Sequence, residues 1–121
     1  DPTRYGVDRE DRPSLVDLLE QLNAIPDVRW IRVMYLFPDR GAPAVLEAIS
    51  SLEKVCRYVD MPFQHAATSV LRRMNRPGGA EEYHRLLQNV RAACPAIAIR
   101  STFIVGYPGE TEAEFGELLR F

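Results

Sequence analysis

The 121-residue chain predicts an α/β fold built on parallel strands. Three observations carry this. Short β-prone runs alternate with longer runs whose apolar residues recur three and four apart, so the hydrophobic period switches repeatedly between two and about 3.6. Consecutive strand-like runs are separated by a helix-like run, which implies parallel strands joined by crossovers. The stretch 97–114, IAIRSTFIVGYPGETEAE, reads as a buried strand, a glycine-proline turn and a capped helix start, placing a turn at the carboxyl end of a strand, where α/β proteins bind ligands. A doubly wound sheet and a β/α barrel both satisfy these observations. Three strands are too few to complete either.

Each element follows in order. The first ten residues are polar and irregular. Pro13 suits a helix's first turn, and Leu15, Leu18, Leu19 and Leu22 give one apolar stripe, so Ser14 to about Ala24 is a helix. Pro26 and Asp27 end it. Arg29–Phe37 is expected as the first strand and Pro38–Gly41 as a loop. Pro43–Leu52 is a helix with Val45, Leu46, Ile49 and Leu52 on one side. Arg57–Met61 is a short second strand, followed by Pro62 and the loop Phe63–Ala67. Thr68–Asn75 is a short helix, Arg76–Gly79 a Pro-Gly-Gly break, and Ala80–Cys94 a longer helix carrying Tyr83, Leu86, Leu87 and Val90. Ile97–Val105 is the third strand. Thr111 to Glu114 fits a T-x-x-E capping box that opens the last helix, Thr111–Phe121.

The bulk composition is ordinary for a globular domain, 46% hydrophobic and 26% charged, and the length allows one domain at most. A net charge of −2 gives no nucleic-acid or acidic-membrane footprint. No apolar run approaches the roughly 20 residues of a membrane span, and DPTRYGVDRE lacks the apolar core of a signal peptide. Cys56 and Cys94 lie in unrelated contexts without a C-x-x-C, as expected of reduced thiols in a cytoplasmic protein. The chain opens on Asp1 without a methionine and stops at Phe121 inside a helical pattern, as expected of a segment of a longer polypeptide.

Strand alternation sorts the chemistry-bearing residues. On the first strand Ile31, Val33 and Tyr35 share one face, and Trp30, Arg32 and Met34 the other. On the second, Val59 and Met61 oppose Tyr58, Asp60 and Pro62. On the third, Arg100, Thr102 and Ile104 oppose Ile99, Ser101 and Phe103. If the apolar faces meet the helices, Arg32, Asp60 and Arg100 project inward together. An unpaired buried charge costs several kcal/mol, so this set is either a closed salt-bridge network or a site for an anionic group such as a carboxylate, which arginine grips with two donors. Gln64 and His65 follow the second strand at the same edge as Gly106–Glu110. His65 is either a structural hydrogen-bonder or a site residue, His84 is expected to be solvated, and Glu110 to cap or hydrogen-bond within its turn. Arg72, Arg73 and Arg76 form a small basic cluster, either a solvated face or a phosphate or partner contact. The glycines match neither a dinucleotide fingerprint nor a Walker loop.

The run YVDMPFQHAATSVLRRMNRPGG, followed by RSTFIVGYPGETEAEF, resembles the radical S-adenosylmethionine methylthiotransferases. WIRVMYLFPD and TRYGVD look more like the RimO branch of that family than the tRNA-modifying MiaB branch. The resemblance covers nearly the whole chain. It implies an α/β fold that is part of an open TIM-type (β/α) barrel, with fewer strands than the eight of the closed form. About three parallel strands with flanking helices would form its middle. It implies an enzyme that methylthiolates an aspartate of a small-subunit ribosomal protein, with a tRNA-modifying enzyme and a non-catalytic barrel fragment or binding module as the alternatives. It implies S-adenosylmethionine and 4Fe-4S clusters in the intact enzyme, whose C-x-x-x-C-x-x-C ligand motif is absent here, as are the terminal domains that flank the barrel in this family. The segment alone is expected to be inactive. The positions carried over as cofactor-binding are Gln64, His65, Arg100, Thr102, Ile104 and Gly106. Arg100 would suit the methionine carboxylate, and Ile104 with the Gly106 backbone the adenosine part. The implied partner is a ribosomal protein, with no membrane and no indicated direct nucleic-acid contact, in the cytoplasm.

Overall fold

The computed structural model describes residues 2–38 and 41–121. Asp1, and Asp39 and Arg40 of the expected loop Pro38–Gly41, lie outside the described residues. After a short 3-10 turn, the elements run α1 (Leu15–Ala24), α2 (Ala42–Ser51), β1 (Tyr58–Asp60), α3 (Thr68–Arg73), α4 (Ala80–Ala93), β2 (Ala98–Arg100) and α5 (Glu112–Arg120). Four of these helices were legible as apolar stripes, and α5 by its capping box. Two open on reciprocal capping boxes: Ser14 with Asp17 on α1, and Thr111 with Glu114 on α5. Each satisfies amides that a helix start otherwise leaves without partners.

β1 and β2 form a two-stranded parallel sheet, with Val59 paired to Ile99 and Asp60 to Arg100. The crossover between them carries α3 and α4. The helix-facing side of the sheet supplies Val59, Met61, Phe63 and Ile97 to the core, where they meet Leu19, Val45, Ile49, Leu71, Tyr83 and Val90. Phe63 stacks on Tyr83 with ring centroids 4.4 Å apart, and Phe121 meets Phe63 edge-on at 5.9 Å. Gly78, at φ +113°, lies under that tyrosine; a Cβ there would come within 2.5 Å of the ring. Tyr83 in turn donates its hydroxyl to the Pro77 carbonyl at 2.9 Å. Arg57 closes the end of α2 by donating through Nη1 to the carbonyls of Ile49, Leu52 and Val55, the favourable place for a cation on a helix.

The expected first strand is not formed among the described residues. Of Arg29–Phe37, only Ile31 makes a ladder bridge, parallel to Val55, and Leu36 donates to the Asp60 carbonyl at 2.8 Å. Between them Tyr35 takes a left-handed backbone, φ +58°. That single residue moves the alternation by one: Val33 and then Leu36 are buried, while Tyr35 stands 63% exposed. Strand register has a period of two, so one residue out of phase exchanges the faces beyond it. Tyr35 therefore does not share the face of Ile31 and Val33.

β2 is also shorter than the expected Ile97–Val105, for a different reason. Ser101 inserts its side chain where the ladder would continue, and it meets the two backbone groups just past β1 that face β2 there. Its hydroxyl donates to the Met61 carbonyl at 2.9 Å and accepts from the Phe63 amide at 3.2 Å. Backbone pairing then resumes for one step at Gln64 and Phe103.

Candidate functional site

The loops that leave the carboxyl ends of β1 and β2 lie side by side, and they carry every carried-over position except Arg100, the last residue of β2. Gln64 joins them. Its amide donates to the Thr102 carbonyl at 2.9 Å, and its carbonyl accepts from the Ile104 amide at 2.8 Å. It does so at φ +70°, a conformation that costs an L-residue on the order of 1–2 kcal/mol. Strain of this kind persists where neighbouring contacts over-determine it. Thr102 and Ile104 point away from the helices and are exposed. Gly106 follows at φ +72°, with open space around it, so backbone conformation rather than crowding requires glycine there.

His65 has gone the other way. Its side chain is completely buried and lies 3.2 Å from Glu110. Nε2 faces Glu110 Oε1, and Nδ1 accepts from the Ala67 amide at 3.0 Å. Glu110 also accepts from the Tyr107 amide through Oε2, at 2.9 Å, so it hydrogen-bonds inside its own turn, as the sequence suggested. Burial pushes the Glu110 carboxyl up, but His65 and the amides of Tyr107 and Gly106 outweigh it and hold the group below its usual range.

Beneath this edge, Arg100 meets Asp60 at 3.2 Å. Asp60 is buried and accepts from the Tyr35 amide through the same Oδ2 at 3.3 Å, while its Oδ1 has no hydrogen-bond partner among the described residues. The Arg100 side chain is 51% exposed, so Asp60 does not enclose it. Arg32 does not join the pair. It lies over Tyr58, 4.6 Å from the ring centroid, and near Trp30. The expected inward trio is thus one ion pair and one separate guanidinium–aromatic stack. The cause is level along the strand: Ile31 pairs opposite Val55, so Arg32 stands beside Tyr58, two residues before Asp60 on the same face.

The basic cluster also resolves. Arg73 pairs with Glu114 at 3.0 Å and donates to the Gly109 carbonyl at 3.3 Å. Arg76 donates to the Pro62 carbonyl at 2.8 Å and lies over Phe37. Two of the three arginines are therefore committed to holding the loops, while Arg72 is exposed. Arg73, then Ser69 and the Thr111 amide, hold the Glu114 carboxyl far below its usual range. His84 is exposed as expected, though its ring lies 4.7 Å from that of Phe121. Ser101 and Tyr35 were missed as site-building residues; neither a side-chain insertion into a ladder nor a left-handed tyrosine leaves a periodic signal.

Residues 5–121 match the Radical SAM superfamily. The chain belongs to that superfamily. Over its full length this radical SAM chain is 49% identical to the ribosomal protein uS12 methylthiotransferase RimO of Heliobacterium modesticaldum, 47% to that of Pelotomaculum thermopropionicum and 47% to that of Symbiobacterium thermophilum, covering 26%, 27% and 25% of those proteins. It thus spans about a quarter of the length of the curated relatives it matches. The resemblance to the RimO branch read from the motifs holds along the whole chain. The parallel strands flanked by helices fit part of a radical SAM barrel, with two strands in place of the expected three.

Radical SAM membership implies S-adenosylmethionine and a 4Fe-4S cluster. The described residues do not fit the cluster. Cys56 and Cys94 are both free, Cys94 is buried, and no three His, Cys, Asp or Glu side chains converge as ligands among the described residues. They do fit the organic cofactor: an arginine with unused donors, an unpartnered buried carboxylate oxygen and an exposed apolar edge lie on one side of the sheet. Among the described residues no helix is long and apolar enough to cross a membrane.

Proposed function

We propose that this chain is the central part of the radical SAM domain of a RimO-type methylthiotransferase, acting on an aspartate of a small-subunit ribosomal protein in the cytoplasm. Similarity along the whole of this chain to proteins named uS12 methylthiotransferase is the observation that carries the reading. In it, S-adenosylmethionine supplies the radical chemistry and the protein supplies placement. The cluster ligands lie outside these residues. The Arg100 guanidinium takes the methionine carboxylate while Asp60 fixes it from behind, Gln64 and Thr102 offer polar groups along the edge, and Ile104 with the Gly106 backbone receives the adenosine.

The deciding assay offers the intact protein a uS12 substrate and, separately, tRNA, and reads each product by mass spectrometry. Modification of the ribosomal protein alone supports the RimO-type reading; modification of tRNA alone replaces it with the MiaB type; no modification of either, with the clusters loaded, favours a non-catalytic module. A second test addresses the site. Arg100→Lys keeps a cation beside Asp60 but loses the two-donor fork, and it should weaken S-adenosylmethionine binding by about 1.5 kcal/mol or more. Unchanged affinity by calorimetry would remove Arg100 from the site.

A further inference from the structure

His65 has no spare hydrogen-bonding capacity. Its ring is buried between the two loops, with Nδ1 accepting from the Ala67 amide at 3.0 Å and Nε2 beside Glu110 Oε1 at 3.2 Å. A backbone amide can only donate, so Nδ1 is the nitrogen without a proton, and Nε2 carries the proton that it donates to the carboxylate. Glu110 is itself wound into the glycine turn: the Tyr107 amide donates to its Oε2, and its own amide donates to the Tyr107 carbonyl at 2.7 Å. On the other side, His65 directly follows the left-handed Gln64, whose backbone is paired to Thr102 and Ile104. One imidazole therefore links the strained residue on the first loop to the turn Gly106–Glu110 on the second. The two loops are 45 residues apart in sequence.

We propose that His65 is a positioning residue for the nucleoside end of the cofactor: it fixes the Gly106–Glu110 turn against Gln64 and makes no contact with the ligand. The inference rests on the S-adenosylmethionine reading above and refines it, because it assigns His65 to the purine-nucleoside end and to an indirect role. Arg100, by contrast, acts on the amino-acid end.

The two imidazole contacts can be separated. In His65→Asn, the side-chain oxygen can replace Nδ1 toward Ala67 but the side chain is too short for Glu110. In His65→Gln, the terminal amide can replace the Nε2 donor. The intact protein and both variants, each shown folded by its thermal midpoint, are titrated calorimetrically with S-adenosylmethionine and with 5′-methylthioadenosine, which has the nucleoside but no amino-acid group. His65→Asn should weaken both ligands about tenfold or more and by similar factors. His65→Gln should stay within about threefold of wild type. Arg100→Lys, in the same series, should weaken S-adenosylmethionine alone. Wild-type affinity in His65→Asn, equal losses in the two His65 variants, or a loss confined to S-adenosylmethionine overturns the role of His65. Wild-type protein that binds neither compound overturns the cofactor reading, and this inference with it.

Discussion

Arg29–Phe37 and Ile97–Val105 look equivalent on paper, both β-prone and both alternating. Only the second keeps its alternation, and it does so as far as Ser101; from Thr102 to Val105 every residue is exposed. It is held by the β1 ladder, by the Ser101 hydroxyl between the Met61 carbonyl and the Phe63 amide, and by Gln64 as far as Ile104. The first is fixed only near Ile31 and Leu36, with Tyr35 turning left-handed between. The contrast teaches that a strand signal is local, while a ladder needs a donor or acceptor across from every backbone group that faces it. Side chains can supply one when the backbone fails.

The comparison can be broken most forcefully at the aromatic residues. Phe63→Ala on the well-held side should cost about 3–5 kcal/mol of stability, because the ring is buried against Tyr83 and Phe121. Trp30→Ala on the other side should cost about 1 kcal/mol or less, since that ring is 67% exposed and meets chiefly Arg32. Comparable losses in denaturant titrations of the intact protein would erase the distinction. Next in size is Ser101→Ala. It leaves the Phe63 amide and Met61 carbonyl without their partner, an expected loss of about 1–3 kcal/mol, and the Gln64 amide should exchange with deuterium faster. A loss under about 0.5 kcal/mol would mean that the serine only fills a gap that backbone closes unaided.

Acid gives the smallest and most graded effect. Glu110 and Glu114 are both held below the ordinary value of 4.5 in the folded chain. A carboxyl with a depressed folded pKa contributes stability above its unfolded value and loses it as pH falls through the folded one. The thermal midpoint should therefore be flat with respect to these groups from neutral pH down to about 5, and decline below 4.5. Glu114→Gln should flatten part of that decline. A midpoint indifferent to pH below 4.5, or the same slope in the variant, would show that these carboxylates do not tie down the loops.

These regions also mark how far the sequence could be read. Helices were legible throughout, because an apolar stripe is a property of the segment itself. The Thr111–Glu114 cap and the hydrogen-bonding of Glu110 within its turn were legible for the same reason. The first strand was not, because nothing in WIRVMYLF announces a left-handed Tyr35 (tyrosine is an unfavourable residue for it). Asp60 and Arg100 were correctly placed on one face by alternation, and Arg32 was wrongly added, since alternation fixes the face but not the level along the strand. The partner of His65 lay out of reach, 45 residues away. That contact exists only once both loops have been laid side by side.

Arg73 sits where several of these constraints converge. Its carbonyl receives the Tyr107 hydroxyl, and its guanidinium holds both the Gly109 carbonyl and Glu114, the residue that also caps α5. The last turn of α3, the glycine turn and the first turn of α5 are consequently a single mechanical body. Moving the turn means swinging both helix ends with it, or first unfastening one side chain.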